Sequence, residues 1–312
     1  MNPIATVFDE SQLGDPQSFG RLSVFPLLAG ASADPDYVTL DYALANRLAS
    51  VREVSEGGSV PELRFENRSD KKILLVDGEE LVGARQNRIL NLTILVDAFQ
   101  QVVIPVSCVE RGRWAYVSRE FHSAGRKLFA RARAAKMGQV SRALREDGNR
   151  KSDQMRIWEE VALVNACHGV DSLTDSMADA FEKERSNLEQ YQQAFAAQPR
   201  QVGGIFVLDG RILGAEQFDA AQTYSHMLAK LVASYVVDSA RNVPPQRKVP
   251  SLSEVARFLK AIQTAPASDY PALGIGRDIR LESEAVTGGA LINGDRVVHL
   301  AAFSKGAFED LQ

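Results

Sequence analysis

Between Ile73 and Tyr116 the chain reads ILLVDGEELVGARQNRILNLTILVDAFQQVVIPVSCVERGRWAY. Apolar runs flank a concentration of groups suited to acid–base work and anion recognition: Asp77, Glu79, Glu80, Gln86, Asn87, Arg88, Cys108, Glu110, Arg113 and Trp114. Asp77-Gly78-Glu79-Glu80 sets three carboxylates at a turn. On an extended backbone side chains alternate, so Asp77 and Glu79 take one side and Glu80 the other. The stretch 102–110 alternates likewise and puts Val102, Ile104, Val106, Cys108 and Glu110 on one face. If that strand meets the acidic turn antiparallel, Glu110 approaches the turn's carboxylates. Carboxylates held close raise one another's pKa, as an acid–base pair requires. A solvated acidic turn is the other reading, and the residues alone leave the two level.

Gln86-Asn87-Arg88 interrupts an apolar stretch with donors that could fix a planar polar ligand. The same groups could instead pair with the neighbouring carboxylates as a structural network. Arg113-Trp114 joins a bidentate anion donor to a stacking plane; for Trp114 taken alone, a buried Trp anchor is the favoured reading. A reactive thiol needs a nearby His, cation or helix N-terminus. None is implied for Cys108, which is expected to be a small buried packing residue.

Familiar catalytic signatures are missing. There is no GxxxxGK(S/T) loop, no GxSxG elbow and no HExxH, and Gly274-Ile275-Gly276 lacks the third glycine of a GxGxxG turn. No spacing of His or Cys indicates a metal, and no cofactor is indicated. His122, His168 and His226 are scattered and expected to be structural. His299 sits in an apolar run (Val297, Val298, Leu300), where an imidazole needs a partner.

Elements must hold these groups in place. Residues 1–20 read as an arm or edge segment, and Arg21–Leu28 as a strand that Pro26 pushes to an edge or a bulge. A short helix is expected over Leu40–Ser50. Val60–Phe65, Ile73–Val76, Ile89–Val96 and Val102–Val109 read as strands joined by polar turns, hence an antiparallel sheet or sandwich. Helices are expected over Ser118–Arg145, weakened at Gly125 and Gly138, and over Asp153–Cys167. The clearest helical period is Leu173–Phe195, with Ser172 as N-cap. A hairpin at Asp209-Gly210 precedes a long helix, Gln217–Arg241. A Pro-rich linker (243–250), a capping box at Ser251–Glu254 and a hairpin at Asn293-Gly294 complete the pattern. The stretches VDGEELVGARQ (76–86) and LDGRILGAEQ (208–217) echo each other. Two similar hairpin turns explain the echo more economically than duplication does. The second copy lacks the acidic pair, which places any chemistry on the first.

With 312 residues the chain can build more than one lobe. The start lacks a basic stretch and an apolar core, so no signal peptide is expected. No apolar run reaches the roughly 20 residues of a membrane helix. Two distant cysteines make no disulfide framework, so a cytoplasmic setting is expected. The net charge of −4 argues against general nucleic-acid binding. Residues 111–151 nevertheless carry twelve Lys/Arg against three Asp/Glu. That segment could steer a phosphate-bearing ligand. Packing against the acidic stretch 171–189, with its six Asp/Glu against two Lys/Arg, explains most of those charges better.

DGEELVGARQNRILN followed by IPVSCVERGRW resembles the ADP-ribosylglycohydrolase- and rhodanese-phosphatase-associated protein domain family. GGIFVLDGRILGAEQF and GGALINGDRVVHLAAF are similar to later blocks of that family, and the likeness runs through most of residues 20–305. Glu79, Glu80, Gln86, Asn87, Arg88, Cys108, Glu110, Gly112, Arg113 and Trp114 match its most distinctive block, and His299 its C-terminal one. The resemblance implies a place in nucleotide, ADP-ribose or phosphoester metabolism, and a partner enzyme.

The expected fold is α+β: a mostly antiparallel β-rich lobe at 20–117, a helical segment at 118–200 and a second small β/α unit at 201–305 packed on the first. The leading expectation is an enzyme, or former enzyme, acting on a phosphorylated nucleotide or ADP-ribose-type ligand. Glu79 or Glu80 would work with Glu110 as the acid–base carboxylates, as two carboxylates do in glycosidic cleavage. Arg113 and Arg88 would bind anionic oxygens, Trp114 would stack, and Gln86, Asn87 and His299 would complete the binding set. The alternative is a non-catalytic binding or adaptor protein serving a partner enzyme. Geometry separates the two: catalysis wants converging carboxylates beside an open cavity, whereas an adaptor would have them neutralised by Arg88 and Arg113 and sealed from solvent.

Overall fold

A computed structural model describes residues 3–30, 34–55, 61–115, 117–239 and 248–308. Tyr116 and most of the expected linker at 243–250 lie outside the described residues. The architecture is α+β, and its sheets are almost wholly antiparallel. In the N-terminal region a six-stranded sheet runs in the order Phe121–Lys127, Glu79–Gly83, Arg88–Leu90, Gln101–Cys108, Glu62–Asn67, Ala49–Glu53. Arg52 from one edge meets Glu120 beside the other, so the sheet curls toward closure. A three-stranded sheet of Ile94–Val96, Lys72–Leu75 and Tyr37–Thr39 abuts it. Their shared core holds Leu63, Phe65, Ile73, Leu75, Leu81, Leu90 and Ile104.

A nine-stranded sheet dominates the rest. Leu22–Ala29 pairs with Gln201–Leu208, followed by Arg211–Phe218, Arg296–Ser304, Val286–Asn293, Arg277–Glu282 and Ala267–Pro271. Of the two places expected for Pro26, an edge or a bulge, the edge is not found: Leu22–Ala29 is an inner strand, and its pairing with Gln201–Leu208 is irregular at Leu27–Leu28. Two short strands, Ser11–Leu13 and Gln17–Phe19, cover its outer side and leave a gap opposite Pro26. The Pro26 carbonyl faces that gap, where Gly14 N–H donates to it at 2.9 Å. The missing N–H points the same way, so no ladder bond is lost.

Two helices lie between the sheets and tie them together. Ala221–Val236 packs on Gln201–Leu208 and on Phe121–Lys127. Eleven of its sixteen residues are buried, Lys230 among them. A helix buried nearly all round must neutralise any charge it carries. Ala130–Asp147 packs on Val286–Asn293 and ends at Gly148, in the left-handed region at φ 67°.

Several expectations are corrected. Ser118–Arg145 is not one helix: Phe121–Lys127 is a strand, irregular around Gly125, and the helix starts only at Ala130. Ile89–Val96 is two strands in different sheets. Leu173–Phe195 divides into Met177–Lys183 and Arg185–Ala194. Its first cap is Ser176, whose N–H donates to Ser172 Oγ. The ion pairs of the basic segment run to Glu110, Glu80, Glu160, Glu216, Asp77, Glu146 and Asp278 rather than to 171–189. Of the two echoed Asp-Gly pairs only the second is a hairpin turn. Asp209 and Gly210 both have positive φ, 51° and 73°, as a two-residue hairpin wants. At the first, only Gly78 does, and the flanking strands enter different sheets. The capping box at Ser251 and the hairpin at Asn293-Gly294 form as expected.

Candidate functional site

Strand alternation separates Glu79 from Glu80. Glu80 turns toward the loops 84–88 and 108–115 and enters one connected network. Its Oε2 accepts from Arg126 Nε at 2.8 Å, and its Oε1 lies 3.4 Å from Asn87 Nδ2. Asn87 N–H donates to Glu110 Oε2 at 3.1 Å, and Asn87 Oδ1 accepts from Arg113 Nη2 at 2.9 Å. Arg113 also pairs with Glu110 at 2.7 Å. Gln86 Nε2 donates to the Glu110 carbonyl at 3.0 Å and Gln86 Oε1 accepts from Arg88 Nη1 at 3.0 Å. Six of the singled-out residues, Glu80, Gln86, Asn87, Arg88, Glu110 and Arg113, therefore share one set of bonds.

The network is enclosed. Glu80 and Arg88 have no exposed surface, and Glu110 only 7 %. Burial pushes the Glu80 carboxyl up, Arg126 opposes that, and the Glu110 charge adds to it. Burial also lowers the basicity of Arg88. Cys108 is fully buried; burial raises its pKa, and its thiol donates to the Glu110 carbonyl at 3.3 Å. Its backbone exchanges hydrogen bonds with the Gln154 side chain, which ties the strand to the helix Gln154–Cys167.

The turn that carries this network is strained and clamped. Ala84 has φ 40°, unusual for a residue with a Cβ. Its carbonyl accepts from Arg113 Nη1 at 2.9 Å and its N–H donates to Ser118 Oγ at 3.1 Å. Gly83, at φ 144°, lies so close to Glu120 O that a Cβ there would sit 2.7 Å from it. Arg113 also donates to the Ala115 carbonyl at 3.0 Å, so its fork holds the loop on both sides of Trp114. Trp114 is not the buried anchor expected of it: it is 48 % exposed, and the Arg85 guanidinium lies 5.4 Å from its ring centroid.

Glu79 faces the other way. Its Oε1 binds Lys230 Nζ at 2.6 Å and its Oε2 accepts the Val76 N–H at 2.8 Å. Lys230 reaches on to Asp41. Deeper in, a second polar chain joins the two main sheets. Lys136 pairs with Asp77, whose N–H donates to Thr93 Oγ1 at 3.1 Å. Thr93 Oγ1 lies 2.8 Å from His299 Nδ1, and His299 Nε2 lies 3.1 Å from Glu216 Oε2. The other Glu216 oxygen pairs with Arg133, which lies between the rings of Tyr235 and Phe303. Burial holds His299 below its usual pKa, so a neutral ring donates to Glu216 and accepts from Thr93. Burial pushes Glu216 up, but Arg133, Lys127 and His299 outweigh it and hold the carboxyl well below the usual range. Lys127 Nζ, fully buried beside this chain, has no hydrogen-bond partner, and burial lowers its pKa to about 8.

His299 thus joins Asp77, Thr93 and Glu216, not the Glu80–Glu110 network. Reading the residues in order missed Lys127, Arg133, Lys136, Glu216 and Lys230. One signal was available: Lys230 interrupts the apolar face of Met227, Leu231 and Ser234–Tyr235, where a lone cation needs a buried acid. Glu216 stands in the second echo where the first has Arg85, so the echo supplies a carboxylate after all. Among the described residues no cluster of His, Cys, Asp and Glu is arranged to hold a metal ion, and no helix is long and apolar enough to cross a membrane.

No curated protein matches the chain, and no solved structure does. A family model does match, over residues 10–303, and so spans both polar networks and all three sheets. Over that length the chain belongs to the family described as the ARG and Rhodanese-Phosphatase-superfamily-associated Protein domain.

Proposed function

We propose that the protein is a non-catalytic recognition module for a phosphorylated, ring-bearing ligand of the nucleotide or ADP-ribose type, working beside a partner enzyme. One observation carries the reading: each carboxylate that acid–base chemistry would need is buried and already paired with a cation. Glu79 is held by Lys230, Glu80 by Arg126 and Glu110 by Arg113. A general acid or base must reach its substrate within hydrogen-bonding distance, and these three face the protein interior instead. The network then acts as a brace. It fixes the strained Ala84 turn and the loop 110–115, and presents Trp114 at the surface with the partly buried Arg85 guanidinium against its ring. An exposed indole beside a guanidinium offers a stacking plane and an anion donor together. The family description, which names an associated protein, fits a module that works next to enzymes.

The test combines binding with turnover. ADP-ribose, NAD, mono- and dinucleotides and inorganic phosphate are screened by thermal shift on the wild type, and each mixture is analysed for product. The reading predicts a stabilising shift for ring-bearing phosphates, none for inorganic phosphate alone, and no product. Product formation that Glu80→Gln or Glu110→Gln abolishes in a folded protein would restore the acid–base enzyme.

A further inference from the structure

A second candidate site lies away from the 73–116 block. A cleft of about 890 Å³ opens between the N-terminal turn, the end of the strand Arg211–Phe218 and the turn before Arg296–Ser304. Among the described residues Asp9, Glu10, Asp219 and Asp295 line it, against one lining cation, Arg296. That guanidinium is already held by Asp36 at 2.6 Å and by Asp219 at 3.1 Å. The cleft is therefore acidic on balance, which by itself says only that it repels anions.

A second feature points to a ligand. Gln217 also lines the cleft and is only 8 % exposed. Its Nε2 donates to the Val7 carbonyl at 3.2 Å, and since a carbonyl can only accept, this bond fixes which way the amide faces. Its Oε1 is left buried with no partner. A buried acceptor without a donor is costly and calls for an N–H or O–H group brought from outside. Asp219 is rigidly placed beside it, since its carboxylate accepts from the Tyr37 hydroxyl, which also bonds Thr223 at 3.0 Å.

From the acidic lining and the unmatched acceptor together, we infer that this cleft binds a small organic cation carrying N–H donors, a primary ammonium or a guanidinium. Gln217 Oε1 accepts from the ligand, and Glu10 and Asp295 at the rim supply the opposing charge. This site is independent of the phosphate-recognition surface around Trp114, and its ligand has the opposite charge.

The inference separates charge from hydrogen bonding, and calorimetric titration can read both. Agmatine, putrescine and tetramethylammonium are titrated into the wild type; the last carries charge but no donor. A glycine-flanked Arg peptide tells a partner's side chain from a free amine, according to which of peptide and agmatine binds more tightly. The expected result is binding of agmatine or putrescine in the millimolar range or tighter, and markedly weaker binding of tetramethylammonium. Glu10→Gln with Asp295→Asn, both at exposed positions, should weaken the amines about fivefold, as two solvent-screened charges would. Gln217→Met should remove the preference for N–H donors. If that variant does not fold, the comparison of agmatine with tetramethylammonium on the wild type and on the Glu10→Gln/Asp295→Asn protein decides the matter. Absence of amine binding, equal affinity for tetramethylammonium, or unchanged affinity in the Glu10→Gln/Asp295→Asn protein would overturn the inference.

Discussion

Glu79 shows how a single residue in the motif is committed to structure. It is 1 % exposed, and its partner Lys230 is itself a buried member of an apolar helix. Burial alone would lower the pKa of Lys230, but Glu79 and Asp41 outweigh it and raise it. Removing one member of a buried pair leaves an uncompensated charge and costs about 3–5 kcal/mol, whereas replacing both with apolar or neutral groups can be almost free. Lys230→Met should therefore destabilise the protein by about that amount, and Glu79→Gln combined with Lys230→Met should recover most of it. Chemical denaturation of the four proteins of this cycle measures the coupling. A double variant as unstable as the single one would show that the pair is not what holds these residues. The cluster of polar residues was legible in the sequence as types and spacing. Their partners were not, because Arg126, Lys230 and Glu216 lie 46 to 151 residues away from the groups they neutralise or within helices read as plain core.

Among elements, the loop 110–115 bears most directly on the proposed recognition. Arg113 makes hydrogen bonds to Ala84, Asn87 and Ala115 besides its ion pair with Glu110. A charge-assisted hydrogen bond contributes about 1.5–3 kcal/mol. Arg113→Ala should lower the melting temperature and move Trp114 emission to the red as the loop loosens. Arg113→Lys should restore little, because a point charge cannot serve four acceptors in one plane. If Arg113→Ala melts and fluoresces like the wild type, the loop does not depend on this fork. Element types were readable where the period was strong. The hairpins at Asp209-Gly210 and Asn293-Gly294 and the capped helix Leu252–Thr264 stand as expected. Phe121–Lys127 has Ala- and Arg-rich helix formers as neighbours, which predicts helix there. Its strand conformation comes from pairing with Glu79–Gly83, a long-range ladder that overrides a weak local preference. The division of Ile89–Val96 between two sheets was equally invisible, since both pieces are apolar and fully buried.

At the scale of the whole molecule, the two main sheets meet over charged groups. Lys127 sits at that junction with its pKa lowered to about 8 by burial, from 10.5. Below pH 8 the folded protein must hold a charged amine that water would solvate better. The penalty falls as pH rises from about 8 to 10.5 and is gone once the unfolded chain also loses the proton. The folded protein should thus gain stability over that window, by on the order of 3 kcal/mol from this group. Asp238 acts in the opposite sense. Burial raises its pKa from 3.8 to about 7, so its contribution favours the folded state at low pH and is lost as pH climbs between those values. Lys127→Met, similar in volume and uncharged, should be more stable than the wild type at pH 7 and equal to it near pH 10.5. Denaturation midpoints across that range check this. A Lys127→Met protein less stable at pH 7 would mean that the amine's attraction to Glu216 and Asp77 exceeds its desolvation.

In the proposed arrangement the buried network braces a surface on which Arg85 and Trp114 meet a phosphorylated ligand. The most direct measurement is calorimetric titration of ADP-ribose into the wild type, Arg85→Ala, Trp114→Ala and Glu80→Gln. Aromatic stacking of one base contributes about 1–3 kcal/mol, so Trp114→Ala should weaken binding roughly tenfold or more. Arg85→Ala should do the same by removing a charged donor. Glu80→Gln, away from the surface, should bind as the wild type does once folded. Affinity that is unaltered by Arg85→Ala and Trp114→Ala but lost in Glu80→Gln would overturn this arrangement and move the ligand to the buried carboxylates.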